Sequence, residues 1–113
     1  MKYFVVRANF STRCREAHVK AMEMEKASEG KKSYPSFLPD DMNKMRPHHV
    51  DYNVALKRDG KLVCAGPLTD YTCALFIYIV DSEEEAKALI EGDPFSKCDF
   101  FTDYEIEEWF YRI

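Results

Sequence analysis

The chain predicts an α+β domain of the split βαβ type, a four-stranded antiparallel sheet with its helices on one face and an extra helix in the first connection. Three observations carry this expectation. Strand-like segments at residues 3–9, 61–68, 72–80 and 101–113 are interrupted by helical periodicity after the first and after the third. The second and third strands read as a hairpin. The third strand is apolar on both faces, with Cys73, Leu75, Ile77 and Ile79 on one and Ala74, Phe76, Tyr78 and Val80 on the other, so both must be covered. Helices of the same chain cover one face, and a second subunit is the economical cover for the other.

Taken in order, residues 3–9 alternate aromatic, β-branched and small residues, the pattern of a strand. Ser11-Thr12 precede a polar helix from Arg13 to Glu29, where Ala17, Ala21, Met24 and Ala27 recur at helical spacing and Gly30 supplies a stop. Residues 31–39 hold two prolines and two aromatics and read as a loop. Asp40-Asp41 suit the cap of a short turn. Pro47 suits the first turn of a helix running to Arg58 and closed by Asp59-Gly60. The second strand, from Lys61 to Leu68, is closed by Gly66-Pro67, and the third runs from Thr72 to Val80. Ser82 and Glu85 form a capping box, and the run Glu83-Glu84-Glu85 favours a helix N-terminus rather than a ligand. Ala86, Leu89 and Ile90 form that helix's buried stripe and Gly92 ends it. Asp93-Pro94-Phe95 reads as a turn or cap, and Phe101 to Ile113 as the last strand.

With 113 residues, the whole chain 1–113 forms one domain with a core that needs neither disulfide nor metal. A net charge of −4 argues against general nucleic-acid binding. No apolar run approaches the roughly 20 residues of a membrane span, and the N-terminal apolar segment is too short for a signal peptide. A cytoplasmic protein with no membrane association is expected. The cysteines Cys14, Cys64, Cys73 and Cys98 lack metal spacing and read as free thiols. A Cys64–Cys73 bridge is rejected: a turn centred between Asp70 and Tyr71 sets Cys64 against Ile77 and Cys73 against Leu68. Scattered histidines, few glycines and no nucleophile motif leave no metal and no cofactor expected.

Candidate chemistry lies in Arg46-Pro47-His48-His49-Val50-Asp51-Tyr52 and in Gly66-Pro67-Leu68-Thr69-Asp70. A carboxylate can orient an imidazole and raise its basicity, which makes His with Asp a common pair for positioned proton transfer. Helical phase puts His49 with Tyr52 and Leu56, facing inward, and His48 with Asp51 and Ala55 on a more polar face. A buried, hydrogen-bonded histidine is the plainer reading of His49, and a turn former that of Asp70. Arg46, one turn before His49, suits a carboxylate or phenolate oxygen, with a surface ion pair as the alternative. Tyr52 is either pocket wall or packing. His18 sits on a polar helix and reads as a surface residue, and Trp109 as interface or core.

Several of these residues occur in a recognisable order: Lys2-Tyr3-Phe4-Val5-Val6, Arg46 ahead of His49-Val50-Asp51-Tyr52, Gly60, Ala65-Gly66-Pro67-Leu68 with Asp70, Ser82-Glu83-Glu84-Glu85-Ala86, Asp93-Pro94-Phe95 and Trp109. On them the chain resembles the YCII-related family of small dimeric ferredoxin-like proteins, over residues 2–9 and 45–112. The resemblance implies a ferredoxin-like fold, a homodimeric α+β barrel formed through the open sheet face, and a His and Asp pair in a pocket on each subunit, which map onto His49 and Asp70. The implied function is that of a cofactor-independent enzyme of lyase, dehydrochlorinase or isomerase type on a small cyclic or aromatic molecule. His49 would then be base and acid, Asp70 its orienter, and Arg46 and Tyr52 substrate contacts. The alternative is a non-catalytic module that binds a small molecule or a protein. Residues 11–44 depart from the family pattern as an extended first connection, and its segment around Tyr34 and Phe37 suits covering a partner or the pocket.

Overall fold

Strand β1 (Lys2–Phe10) pairs antiparallel with β3 (Cys73–Val80) on one side and with β4 (Phe101–Trp109) on the other. β2 (Leu62–Pro67) completes the sheet beside β3, giving the order β2-β3-β1-β4, all antiparallel. This is the split βαβ topology expected of the alternating strands. The computed structural model describes residues 1–27 and 38–112. The Tyr34–Phe37 segment, with the predicted stop at Gly30, therefore lies outside the described residues.

The period-two alternation sorts the sheet into two faces. Phe4, Val6 and Ala8 of β1 and Ala74, Phe76, Tyr78 and Val80 of β3 are buried with Leu56, Leu62, Ala86 and Ile90 in the main core. Each large side chain removed from water there contributes roughly 1.5–3 kcal/mol. The opposite face leaves Tyr3, Val5, Leu75, Ile77 and Ile79 only half-buried. Trp109 and Tyr111 gather around Tyr3 on that side rather than entering the core. Cys64 pairs with Ile77 in the β2–β3 register and all four cysteines are free, as the spacing predicts.

The helices start and stop where backbone groups find partners. α1 (Thr12–Ala27) is opened by Ser11, whose Oγ accepts from the Cys14 N–H at 3.1 Å. In α3 (Glu83–Gly92), the Ser82 Oγ accepts from the Glu85 N–H at 3.2 Å, the first half of the predicted capping box. α2 spans Asp40–Arg58, so the helix expected to begin at Pro47 begins seven residues earlier, with Pro47 inside it. Pro39 stands at its cap and its carbonyl accepts from Met42 and Asn43. Asp40 and Asp41 favour the positive end of the helix, and Met42 is fully buried. That burial outweighs the bond that proline cannot make. The other end closes as a Schellman motif: Gly60, at φ 78°, donates to the Lys57 carbonyl and Lys61 to that of Leu56. β4 stops at Trp109, short of the expected Ile113, which lies outside the described residues.

A second, smaller core joins Cys14 of α1 and Met42 of α2 to Leu38, Phe95 and Phe100. Phe10 and Phe101 pack against both cores. The Arg13 guanidinium ties the layer together from outside, reaching Asp41 at 3.1 Å and Asp99 at 3.2 Å.

Candidate active site

Between α2, the edge strand β2 and the aromatic residues of the second core lies a cavity of about 460 Å³. Phe10, Phe76, Phe95, Phe100 and Phe101 line it, together with His18, Arg46, His49, Asn53 and Lys57. An apolar cavity with a few convergent polar groups is the usual form of a small-molecule site.

His49 is presented by the middle of α2. Its neighbour His48 is exposed, while the His49 side chain is 22% exposed and its ring stacks on Phe95 at 4.0 Å. The Nδ1 atom lies 2.7 Å from Oδ1 of Asp93, which is fully buried. A carboxylate only accepts, so Nδ1 carries a proton, and in the neutral ring Nε2 then holds the lone pair. Asp93 is held in turn by the Phe95 N–H at 2.9 Å and by Asn53 Nδ2 at 2.8 Å. Asn53 spends its second N–H on the His49 carbonyl at 2.9 Å, so its 3.2 Å approach to His49 Nδ1 is proximity rather than a bond. The buried carboxylate thus has three donors, which is what makes its burial tolerable.

The pairing of His49 with Asp70 is corrected: the carboxylate on His49 belongs to Asp93. Asp70 is exposed in the β2–β3 turn and is not among the cavity's lining residues. Its Oδ1 accepts from the Thr72 N–H at 3.0 Å and hydroxyl at 2.7 Å, and these bonds hold the carboxyl below its ordinary range. Asp93 does cap the 3-10 turn Pro94–Lys97, as Asp-Pro-Phe predicts, but the same side chain orients His49. Only its spacing from α3 could have signalled this. Arg46 is exposed at the cavity wall. Tyr52 is packing: its hydroxyl donates to the Leu89 carbonyl at 2.7 Å, and burial, then Asp93, raises its pKa.

His18, read as a surface residue, is instead half-buried on the cavity. Burial pushes its pKa below the ordinary 6.5; the bond to the Cys14 carbonyl opposes the shift and the Arg46 charge reinforces it. No group of three or more side chains among the described residues is placed to hold a metal ion.

Fold and cavity together define a small ferredoxin-like domain with an oriented histidine in an aromatic pocket. The YCII-related domain model matches residues 19–110, and the chain belongs to that family. A solved structure with the same fold is the 5-chloro-2-hydroxyhydroquinone dehydrochlorinase TftG from Burkholderia phenoliruptrix AC1100, in complex with 2,5-dihydroxybenzoquinone. It is 18% identical, with a TM-score of 0.59, over 97% of this chain and 95% of that one. No curated protein matches. No helix among the described residues is long and apolar enough to cross a membrane.

Proposed function

We propose that the protein is a small acid–base enzyme, of lyase or isomerase type, acting on a hydroxylated ring without a cofactor. The observation that carries this reading is the 2.7 Å contact of His49 Nδ1 with buried Asp93, which leaves Nε2 as a base at an aromatic cavity. Nε2 takes the proton of a ring hydroxyl, and Asp93 stabilises the imidazolium that results. The electron pair moves into the ring and the imidazolium returns the proton to a ring carbon, which completes an isomerisation. Where that carbon bears a halide, the halide leaves with its bonding pair as a second hydroxyl gives up a proton, and H–X is eliminated. Arg46 suits the phenolate oxygen formed on the way. The substrate of the structurally similar dehydrochlorinase is a ring of this kind, and supports the choice.

A homodimer through the half-buried sheet face belongs to the same reading. The centre of that face is apolar, with Val5, Leu75, Ile77 and Ile79 side by side, and burying it is favourable. Light scattering at micromolar concentration should give twice the chain mass, and Ile77→Lys should return the monomer. A monomeric wild type would refute it.

The enzymatic reading is tested by chloride release from 5-chloro-2-hydroxyhydroquinone. His49→Ala should lose roughly 10²–10⁴-fold in rate, and Asp93→Asn should lose more than Asp70→Asn. Binding of the ring with no turnover by the wild type would instead make the protein a binding module.

A further inference from the structure

His18 reaches the same cavity from α1, one residue before the stretch that the family model matches. Its surroundings are elaborate for a residue on a polar helix. Phe10 and Tyr71 both stack on its ring, at 5.3 and 4.9 Å and within 26° and 24° of parallel. Tyr71 does so from a backbone φ of 56°, a left-handed conformation that bulky residues rarely adopt. Asp70 holds that turn through its two bonds to Thr72. Backbone strain of this kind persists only where surrounding structure enforces it.

The Nδ1 atom of His18 lies 2.8 Å from the Cys14 carbonyl oxygen. That oxygen only accepts, so Nδ1 carries the proton and Nε2 has the lone pair. No protein group among the described residues donates a hydrogen bond to Nε2. A run of rings connects the two histidines. His49 stacks on Phe95, Phe95 stacks on Phe100 at 3.7 Å, and Phe100 meets His18 edge-on at 86°. The imidazoles therefore stand at the two ends of one aromatic wall, with their rings close to perpendicular.

We propose that His18 is a second substrate-contacting residue: its Nε2 accepts from a ring hydroxyl other than the one His49 engages, so that the site selects rings with two hydroxyl groups over rings with one. This rests on the reading of His49 as the base. It also supplies what the elimination lacks. As the halide leaves with its bonding pair, the second hydroxyl passes its proton to His18 Nε2 and its C–O bond becomes a carbonyl. The products are the halide, a protonated His18 and the ring dione, with no external oxidant or reductant. Burial and the Arg46 charge keep His18 neutral, ready to accept.

Imidazole 15N resonances of the wild type, titrated with hydroquinone and with phenol, test this without turnover. Hydroquinone should move the Nε2 signals of both His18 and His49, and phenol only that of His49. His18→Phe, which keeps a ring between Phe10 and Tyr71, should weaken hydroquinone about tenfold, the equivalent of roughly 1.4 kcal/mol. It should leave phenol affinity within about twofold, and His18→Gln should restore part of the loss. A His49 signal that responds while His18 stays still, or hydroquinone affinity unchanged in a folded His18→Phe, overturns the role of His18 and leaves that of His49 standing. If neither imidazole responds to either probe, the reading of the cavity falls and this inference with it.

Discussion

Replacing Asp93 by asparagine changes one atom and has a cost that follows from the hydrogen bonds. In the wild type both carboxylate oxygens accept, Oδ1 from His49 Nδ1 and the Phe95 N–H, and Oδ2 from Asn53. An amide nitrogen at the Oδ2 position meets the Asn53 amide donor to donor. Turning Asn53 over cures that contact but sets its oxygen against the His49 carbonyl and forfeits a 2.9 Å bond. An amide nitrogen at the Oδ1 position meets the Phe95 N–H instead and drives the His49 proton to Nε2. Asn53 Oδ1 is already buried without a partner in the wild type, and each arrangement leaves at least one further buried donor or acceptor unpaired, which costs about 1–3 kcal/mol. For a domain of about a hundred residues, 2 kcal/mol lowers Tm by roughly 10 °C. Thermal unfolding at pH 7 gives the first quantity, and imidazole 15N shifts give the tautomer of His49. A folded Asp93→Asn protein that melts within about 2 °C of wild type, with His49 unchanged, would refute the reasoning that a three-donor carboxylate anchors the site.

Other expectations follow from individual contacts. A Cβ at Gly92 would fall 2.7 Å from the Tyr52 hydroxyl, so Gly92→Ala should destabilise by about 1–3 kcal/mol; Tyr52→Phe in the same chain should recover part of this, read as non-additivity in a double-mutant cycle. His18 has a lowered pKa, so the unfolded state binds its proton first as pH falls below 6.5, and stability should drop from there towards the folded value; urea titrations against pH should show a shallower drop for His18→Phe. Burial pushes the Cys14 thiol up to about 12, so a thiol reagent at pH 8 should modify exposed Cys64 quickly and Cys14 only after unfolding.

How far the fold was legible depends on whether local chemistry or distant packing decided each feature. The strands were readable because β1 and β3 alternate cleanly between an inner and an outer face, and α3 because Ser82 and Gly92 mark its ends. The start of α2 was misread because Pro47 is as good a first-turn residue as Pro39-Asp40-Asp41 is a start. Burial of Met42, a tertiary fact, decides between them. The same holds at the site. Asp70 and Asp93 both occupy turns and both accept from a backbone N–H two residues on. Nothing local distinguishes them, and only the docking of the α3 end against α2 brings one to His49. His18 was hidden for a related reason: its helix is polar, and the rings that enclose it come from β1, from the β2–β3 turn and from Phe100 just before β4.

α2 belongs to both cores. Met42, near its beginning, is part of the smaller one, and Leu56, near its end, is part of the larger. Between them come Pro47, which has no N–H to give the helix ladder, and then His49. The His49 imidazole thus sits where one rod passes from the smaller core to the larger. Its ring stacks on Phe95 of the smaller core, so a substitution deep in that core should shift where the imidazole stands, as a shim shifts a bearing.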